Sequence, residues 1–286
     1  MMTRLKQEDA PVSVGPRPRP HGRMAFPVVL ALLLAATCPS APAAPWPSLT
    51  GDARAVGIGG AYAALARGPL APLWNPAGII TAPGVQVALS SALLSSGDGS
   101  LLVGAAIVAA GGPAVAWNLI EDGSGRAIQG TFALALREEV TVGATAMYDV
   151  AAPAGFALGV GLLVAGEAWS LGASLLGLGA GPFGPPRTPQ LLLGFSLRTV
   201  PAITIGIDLH LFSTGGEIAL GGVANLWAVG LRWGLAMGVH GGLERAGLGC
   251  DLALMGQELN IALLVRGADL SLTIVVGLEA RIPAWW

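Results

Sequence analysis

The sequence predicts an all-β protein, a transmembrane antiparallel β-barrel of about fourteen strands with an N-terminal hatch segment. Three observations lead to this fold class. Of the 286 residues, 53% are hydrophobic and only 11% are charged, whereas about 25% are charged in soluble globular chains. Apolar residues alternate with small or polar ones at a period of two, which is the strand signal. The 43 glycines follow neither a collagen period nor a linker composition, so they must have a steric role inside ordered structure.

Residues 1–43 have the layout of a secretory signal peptide. A basic start is followed by an apolar run over 26–36 and by small residues that end in an A-x-A cleavage site. The mature chain is expected to begin near Ala44, and Met24 is an alternative start codon, because the residues before it are unusual for a signal. A lipoprotein with an acylated Cys38 is a competing interpretation. Export of this kind predicts the bacterial outer membrane as the location.

A helical membrane protein is the main competing fold. Residues 150–166 carry no charge over 17 positions, and a transmembrane helix needs roughly 20 mainly apolar residues. This stretch contains Pro153 and several glycines, and its neighbours have the period of a strand. We therefore expect no helical span.

Period-two alternation is clearest in residues 202–211 and 270–281. Their apolar rows are Ile203, Ile205, Ile207 and Leu209, and Leu270, Leu272, Ile274, Val276 and Leu278. The opposite rows carry Gly, Ala, Ser and Thr with few charges, which suits a narrow lumen better than a wet exterior. An apolar lipid-facing row alternating with a small or polar lumen-facing row is typical of transmembrane barrels. Closure is expected because an open strand edge in hydrocarbon would leave unpaired backbone groups.

Turn signals divide residues 84–281 into segments of about ten. The connections are predicted at 95–99, 110–112, 121–125, 137–139, 150–154, 166–167, 179–189, 200–201 and 212–215. Longer and shorter connections alternate, which places the N-terminal segment on the periplasmic side. Residues 226–240 keep one phase through Gly234, so we interpret them as one long strand, with Trp227 and Trp233 facing outward. The strand count then becomes even, as bacterial single-chain barrels require.

Residues 44–83 lack strand alternation and separate the signal peptide from the barrel, residues 84–286. Part of this segment resembles the N-terminal segment of the FadL-type outer-membrane transporters and of the related PorV-type barrels. The matching residues are Ala53, Arg54, Ala55, Gly57, Gly59, Gly60, Ala61, Trp74, Asn75, Pro76, Ala77 and Gly78. The acidic pair of the family pattern is replaced here by Arg67 and Gly68.

The resemblance implies fourteen strands and a hatch that obstructs the lumen and rearranges to admit an apolar ligand. It implies passive uptake of hydrophobic small molecules, of the fatty-acid or aromatic-hydrocarbon type, by a monomer that the barrel-assembly machinery inserts into outer-membrane lipid. A PorV-like platform for protein export or envelope assembly is the alternative, and a purely structural barrel is a third. The candidate hatch motif is Gly57, Gly59, Gly60, Trp74, Asn75, Pro76, Ala77 and Gly78, residues that either serve the rearrangement or only fold the hatch.

A few charged residues and histidines fall on the predicted inward rows. The lumen candidates are Arg198, Asp208, His210, Arg232, His240, Asp251 and Arg266. Charges in a barrel interior are expected to pair across the lumen, because an unpaired buried charge is costly. The sharper hypothesis is that one arginine receives the carboxylate of an acyl chain, for which the guanidinium fork is well shaped.

Several functions are disfavoured by the sequence. No basic run exists outside the first 23 residues, so the footprint of nucleic-acid binding is missing. No nucleophile, acid or metal-ligand cluster has a recognisable spacing, so neither an enzyme nor a cofactor or metal is expected. Cys250 would be the one cysteine of the mature chain, which leaves no intrachain disulfide.

Overall fold

The structure is a computed structural model, and it describes residues 52–80, 83–94, 100–109, 112–122, 125–150, 155–179, 189–213, 215–254, 257–267 and 271–283. The predicted signal peptide, residues 1–43, lies outside the described residues, and so do the first residues of the predicted hatch and the C-terminal Trp285 and Trp286. No helix within the described ranges has the length and hydropathy needed to cross a bilayer.

Fourteen antiparallel strands follow one another along the chain. They are β1 (Gly84–Leu94), β2 (Ser100–Val108), β3 (Ala114–Asp122), β4 (Gly125–Arg137), β5 (Val140–Asp149), β6 (Gly155–Ala165), β7 (Trp169–Leu178), β8 (Gln190–Val200), β9 (Ile203–Phe212), β10 (Gly215–Leu226), β11 (Val229–Gly238), β12 (Leu243–Leu254), β13 (Gln257–Arg266) and β14 (Ser271–Pro283). The end of the barrel at which β1 begins and β14 ends is called proximal here, and the opposite end distal.

The strands form a closed barrel. Each strand is hydrogen-bonded to its neighbours in sequence, and β1 also pairs with β14. Leu89, for example, lies across from Val103 on β2 and from Leu278 on β14. Every strand therefore has two partners, and no edge is left with unpaired backbone groups. The predicted all-β class, the antiparallel closure and the count of fourteen are confirmed.

The two faces of the wall differ as the alternation predicts. Large apolar side chains on the outward face are exposed, such as Phe132 at 51% and Leu248 at 61%. The predicted outward rows of β9 and β14 belong to this face, since Ile205, Ile207 and Ile274 are all exposed. Inward positions are mostly buried, which means that the lumen is filled.

The predicted single strand over 226–240 is wrong at both of its ends. Gly234 does lie inside β11, without a turn, but β10 ends at Leu226 and Trp227 stands in the turn that follows. Trp227 has φ of 56° and is fully exposed, so it is not an outward strand residue. His240 lies in the exposed turn after β11, not in the lumen. Continuous side-chain phase cannot reveal where the hydrogen-bond ladder stops, and Trp-Ala is not a usual hairpin turn pair.

Residues 52–80 precede β1 and lie inside the barrel, and we call them the plug. They contain a short helix, α1 (Ala53–Gly57), and two 3-10 helices, Ala71–Leu73 and Pro76–Ile79. The Asp52 side chain caps α1 by accepting a hydrogen bond from the Arg54 backbone N–H. Three large apolar side chains of the plug, Ile58, Trp74 and Ile79, are almost fully buried. The plug thus contributes buried apolar side chains to the interior of the barrel.

Candidate functional site

Polar contacts fix the plug to the wall at several heights. The hydroxyl of Ser170 donates to the Ala64 carbonyl at 2.8 Å, and the hydroxyl of Ser174 donates to the Trp74 carbonyl at 2.6 Å. Because these plug carbonyls are buried and have no helix or sheet partner, wall side chains take the place of secondary structure in satisfying them. The inward polar residues of β7 therefore have a structural role.

Asn75 connects the plug to itself and to the wall. Its Oδ1 accepts from the Ala77 backbone N–H and so caps the second 3-10 helix. Its Nδ2 donates to the carbonyl oxygens of Ala63 and of Leu162 on β6, both at 3.0 Å. Asn75 therefore both caps a helix and anchors the plug to the wall, because its amide oxygen accepts one hydrogen bond and its amide nitrogen donates two.

We expect Asn75→Ala to destabilise the folded protein by about 2–4 kcal/mol, because it removes a cap and two further hydrogen bonds, one of them to the buried carbonyl of Ala63. Urea unfolding of the protein in lipid vesicles measures this. Asn225→Ala is the matched control, since Asn225 is exposed on β10 and should change stability by less than about 0.5 kcal/mol. Equal effects of the two substitutions would contradict the anchoring role.

Inward-facing glycines let the plug backbone touch the wall. Each strand from β5 to β12 contributes one, and we call this set the glycine belt. Its members are Gly143, Gly161, Gly172, Gly194, Gly206, Gly221, Gly234 and Gly247. A Cβ on any of them would press on a backbone atom of the plug, such as the carbonyl oxygen of Ile58 at Gly221 and Gly234. The high glycine content of the sequence has its steric reason here.

The belt is continuous where it is best formed. Gly206, Gly221, Gly234 and Gly247 lie directly across from one another on β9, β10, β11 and β12. This row makes a flat groove four strands wide, into which residues 56–61 of the plug fit. The predicted motif residue Gly57 packs in the same region, against the Cα of Gly249.

A buried charge cluster lies on the distal side of the groove, and we call it the distal cluster. The Nδ1 of His210 is 2.6 Å from Glu217, which also pairs with Arg245. Asp208 accepts the backbone N–H of Ala63 at 2.5 Å and lies 3.6 Å from the Nε2 of His210. Arg245 donates to the Gly59 carbonyl at 3.0 Å. Asp208 and Arg245 thus hold two backbone groups of the plug, and His210 and Glu217 link these two wall residues.

A second charge cluster lies on the proximal side. Arg54 of the plug pairs with Glu279 at 2.7 Å. Arg232 pairs with Asp251 at 2.6 Å and reaches Glu258 at 3.5 Å. These pairs agree with the expectation that inward charges neutralise one another. They leave little net charge for attracting an ion from solution.

A cavity of about 350 Å³ lies between the plug and strands β9 to β13, at the proximal end. Its apolar lining includes Ile58, Leu65, Val223, Trp227 and Val229, and its polar lining includes Arg54, Tyr62, Thr204, Arg67, Asn225, Arg232, Asp251 and Glu258. A cavity of this size that combines apolar surface with placed polar groups can hold a small molecule.

Two polar side chains of the plug set the electrostatics of the cavity. Burial raises the pKa of Tyr62 to about 12, so its hydroxyl stays neutral and able to donate. Burial lowers the pKa of Arg67 from its ordinary value, but a guanidinium remains charged in proteins. Arg67 has no carboxylate partner among the described residues; one of its nitrogens donates to the Ala66 carbonyl. It is therefore a cation that an anionic ligand group can pair with.

The structure brings only some of the predicted lumen residues together. Asp208 and His210 meet in the distal cluster, and Arg232 and Asp251 meet in the proximal one. Arg266 lies across from Arg245 and has no carboxylate partner within the described ranges. Arg198 is exposed near the proximal end of β8. Among the described residues no group of three or more His, Cys, Asp and Glu is placed to hold a metal.

The predicted hatch motif is buried throughout, and every one of its eight residues lies in the plug. Sequence reasoning missed Glu217 and Arg245, which complete the distal cluster, and Tyr62 and Arg67, which line the cavity. Arg67 had a signal, because it stands where the resembling families carry an acidic residue. For Glu217 and Arg245 the only signal in the sequence was that both fall on the inward rows of their strands.

Comparisons with known proteins give structural neighbours alone. The sequence matches no protein-family model and no curated protein. A double mutant of the Rh. blastica porin is similar at 11% identity, covering 70% of this chain and 99% of that chain, with a TM-score of 0.43. A fivefold mutant of the same porin is 12% identical, covering 70% of this chain and 99% of that chain, with a TM-score of 0.44. The KdgM porin is 5% identical, covering 69% of this chain and 99% of that chain, with a TM-score of 0.42. These three neighbours are porins by name, and the fold assignment of this chain, a closed fourteen-stranded barrel, rests on its own strand order.

Proposed function

We propose that this protein lies in the bacterial outer membrane and passes hydrophobic small molecules inward by diffusion. The observation that carries the proposal is the proximal cavity, which a plug inside the barrel closes off and whose lining combines apolar side chains with Arg67, a cation without a carboxylate partner among the described residues. The FadL-type resemblance of residues 53–78 points in the same direction. Export through the predicted signal peptide belongs to the same proposal.

Membrane insertion is supported by the outward face. Large apolar side chains stand exposed all around the wall, among them Trp117, Phe132, Phe156, Phe195 and Ile282. Soluble monomers rarely expose apolar patches larger than a few hundred Å². A bilayer would cover such a surface, and an apolar outer band is typical of outer-membrane barrels.

A hydrophobic substrate is supported by what fills the lumen. Toward the distal end the inward side chains include Leu102, Ile120, Met147 and Leu192, and they pack into one buried apolar cluster with the plug. A channel for polar solutes would instead need a polar, water-filled interior. A molecule that crosses here must replace apolar contacts, which an acyl chain or an aromatic ring can do.

The decisive experiment is uptake by liposomes that contain the purified protein. A fluorescent fatty acid and a small fluorescent sugar serve as paired probes. We expect the fatty acid to enter faster than in protein-free liposomes and the sugar to stay outside. Entry of the sugar alone would overturn the proposal.

Arg67 provides a sharper test of the cavity. We expect Arg67→Leu to raise the fatty-acid concentration that gives half-maximal uptake roughly tenfold, because a charge-assisted hydrogen bond to the carboxylate is lost. Uptake of a neutral hydrocarbon probe should not change. Arg198→Leu is the control, since Arg198 is a proximal arginine that does not line the cavity. Equal loss of both probes in Arg67→Leu would show that the residue acts on the fold and not on the ligand.

A closed barrel that serves as a PorV-like platform is the second candidate. It is favoured by the plug, whose backbone touches the wall on eight successive strands. Under this alternative neither probe would enter liposomes, although the barrel is shown to be folded by its resistance to protease. The liposome experiment therefore separates the two candidates.

A further inference from the structure

Two arginines face each other at the distal end of the barrel wall. Arg245 on β12 and Arg266 on β13 are directly opposite in the register, so their side chains share one face of the wall. That face is the lumen, because Arg245 donates to the Gly59 carbonyl of the plug. Cross-strand neighbours have Cβ atoms about 4.5–5.5 Å apart, and like charges directly opposite destabilise a sheet. The wall therefore keeps a repulsive pair at this position.

The charge of Arg245 is already shared, whereas that of Arg266 is not. Arg245 pairs with Glu217 through its Nη2 and uses its Nε for the plug carbonyl. Arg266 has no carboxylate partner within the described ranges, and the charge of Arg245 repels its own. Glu244 points toward β11, because its Oε1 lies 2.8 Å from the position that a Cβ on Gly238 would take. One positive charge at the distal end thus lacks a counter-charge among the described residues.

A third hydrogen-bond donor extends the arginine pair. Ser271 on β14 lies directly across from Arg266 and on the same face of the wall. Ser271 is exposed and Arg266 is half-buried, so both are open to solvent. We call Arg245, Arg266 and Ser271 the distal donor row. Guanidinium groups match the oxygens of a carboxylate or a phosphate in geometry and charge, so the row has the donors that an oxyanion needs.

The distal donor row stands at the boundary between solvent and the filled lumen. Leu264, two residues before Arg266 on the same face, is fully buried, and it shares an apolar cluster with Val56 of the plug and Val275 of β14. An ion cannot pass this cluster without losing its hydration at a large cost. Low-dielectric walls beside a charge focus its field and raise the local concentration of counter-ions. An anion is therefore attracted to the row and stops there.

We propose that the distal donor row binds the carboxylate of an amphipathic substrate that arrives from outside, before the substrate reaches the proximal cavity. The distal end faces the outside in the orientation predicted from the connections. The proposal rests on the proposed function for the direction of passage and for the choice of a carboxylate, since a phosphate group shares the same chemistry. Arg67 then receives the same group at the other end of the barrel.

The repulsion between the two arginines gives a test that does not depend on transport. Arg266→Gln removes the repulsion, so in a chloride buffer of low ionic strength we expect the urea midpoint of unfolding to rise by roughly 0.1–0.5 M. An arginine with a purely structural role would lower the midpoint when replaced. Pairing of Arg266 with Asp269, which lies outside the described residues, would also make the variant less stable. A lower midpoint therefore overturns the proposal.

Anion binding is measured by the same midpoint, with butyrate, inorganic phosphate and neutral butyramide as probes at constant ionic strength. The background is Arg67→Leu, so that the cation of the cavity does not contribute. We expect butyrate to raise the midpoint by roughly 0.5 M at about ten times its dissociation constant, and butyramide to leave it unchanged. Adding Arg266→Gln should abolish the effect of butyrate. Arg126→Gln is the matched control, because Arg126 is also distal but pairs with Glu121 at 3.0 Å.

Two results of the binding measurement would contradict the proposal. The site itself is overturned if butyrate has no effect in the Arg67→Leu protein, or an equal effect with and without Arg266. A response to phosphate alone would assign the row to a phosphate group and would overturn its role in substrate capture.

The initial rate of fatty-acid uptake by liposomes tests the capture step. We expect Arg266→Gln to slow uptake roughly threefold at low ionic strength and to have little effect at about 0.5 M salt, because salt screens the attraction. Uptake of a neutral hydrocarbon should not change. An unaltered fatty-acid rate at low salt would overturn the capture role. If the unmodified protein binds butyrate at Arg266 but takes up no fatty acid, the proposed function fails and the row remains an anion site without a part in transport.

Discussion

Gly234→Val is expected to displace the plug from the glycine belt and to make the barrel permeable to small sugars. A Cβ at this position would overlap the carbonyl of Ile58 and lie 2.7 Å from the backbone nitrogen of Gly59. Gly234 itself cannot retreat, because hydrogen-bond ladders to Gly221 and Gly247 fix it on both sides. The plug must therefore yield. Overpacking of a close-packed interior costs about 1–3 kcal/mol, and occasionally more.

Gly130→Val is the matched control for this substitution. Gly130 also lies inside a strand, but it is on the outward face and an added Cβ meets nothing within 4 Å. Sugar efflux from liposomes and the urea midpoint of unfolding are measured for both variants. Rapid efflux and a lower midpoint are expected for Gly234→Val alone. If liposomes with Gly234→Val retain the sugar and the variant unfolds at the same urea midpoint as the control, the plug does not depend on the glycine belt for its position.

Arg54→Met is expected to have the largest effect on stability among single charge removals. The side chain of Arg54 is 10% exposed and that of its partner Glu279 is 17% exposed, so the pair is largely shielded from solvent. Arg54 also donates to the Arg67 carbonyl at 3.0 Å. Removing one partner of a buried pair leaves an uncompensated charge, which costs about 3–5 kcal/mol.

The double variant Arg54→Met with Glu279→Met separates pairing from packing. Replacing both members of a buried pair with apolar residues is often nearly neutral, so the double variant should recover most of the lost free energy. Urea unfolding in lipid vesicles gives the three free energies that a double-mutant cycle needs. Additive losses would mean that the two charges do not interact, contrary to the observed geometry.

The wall of the barrel is largely predictable from the sequence, because lipid on one side and a crowded lumen on the other impose a strict period of two. The rows through Ile205 and Ile274 predicted the outward faces of β9 and β14. Strand ends were harder. Trp227 and Ala228 form a turn without the usual glycine or asparagine, and His240 keeps the inward phase of β11 although the ladder has already ended at Gly238.

The interior was predictable only in part. The resemblance located the buried motif around Asn75, and expected pairing of inward charges suited Arg232 and Asp251. Which glycine faces which plug carbonyl depends on the register of eight strands, and no local pattern contains that information. That Arg67 has no carboxylate partner among the described residues depends likewise on where the plug backbone turns.

Residues 52–80 fill the lumen as ordered structure. Hydrogen exchange of the folded protein in lipid, followed by mass spectrometry of the plug peptides, tests it most directly. We expect the amides of Val56, Ala63 and Trp74, which are hydrogen-bonded and buried, to exchange as slowly as those of the strands. Exchange of the whole segment within seconds, at the rate of an unstructured peptide, would contradict it.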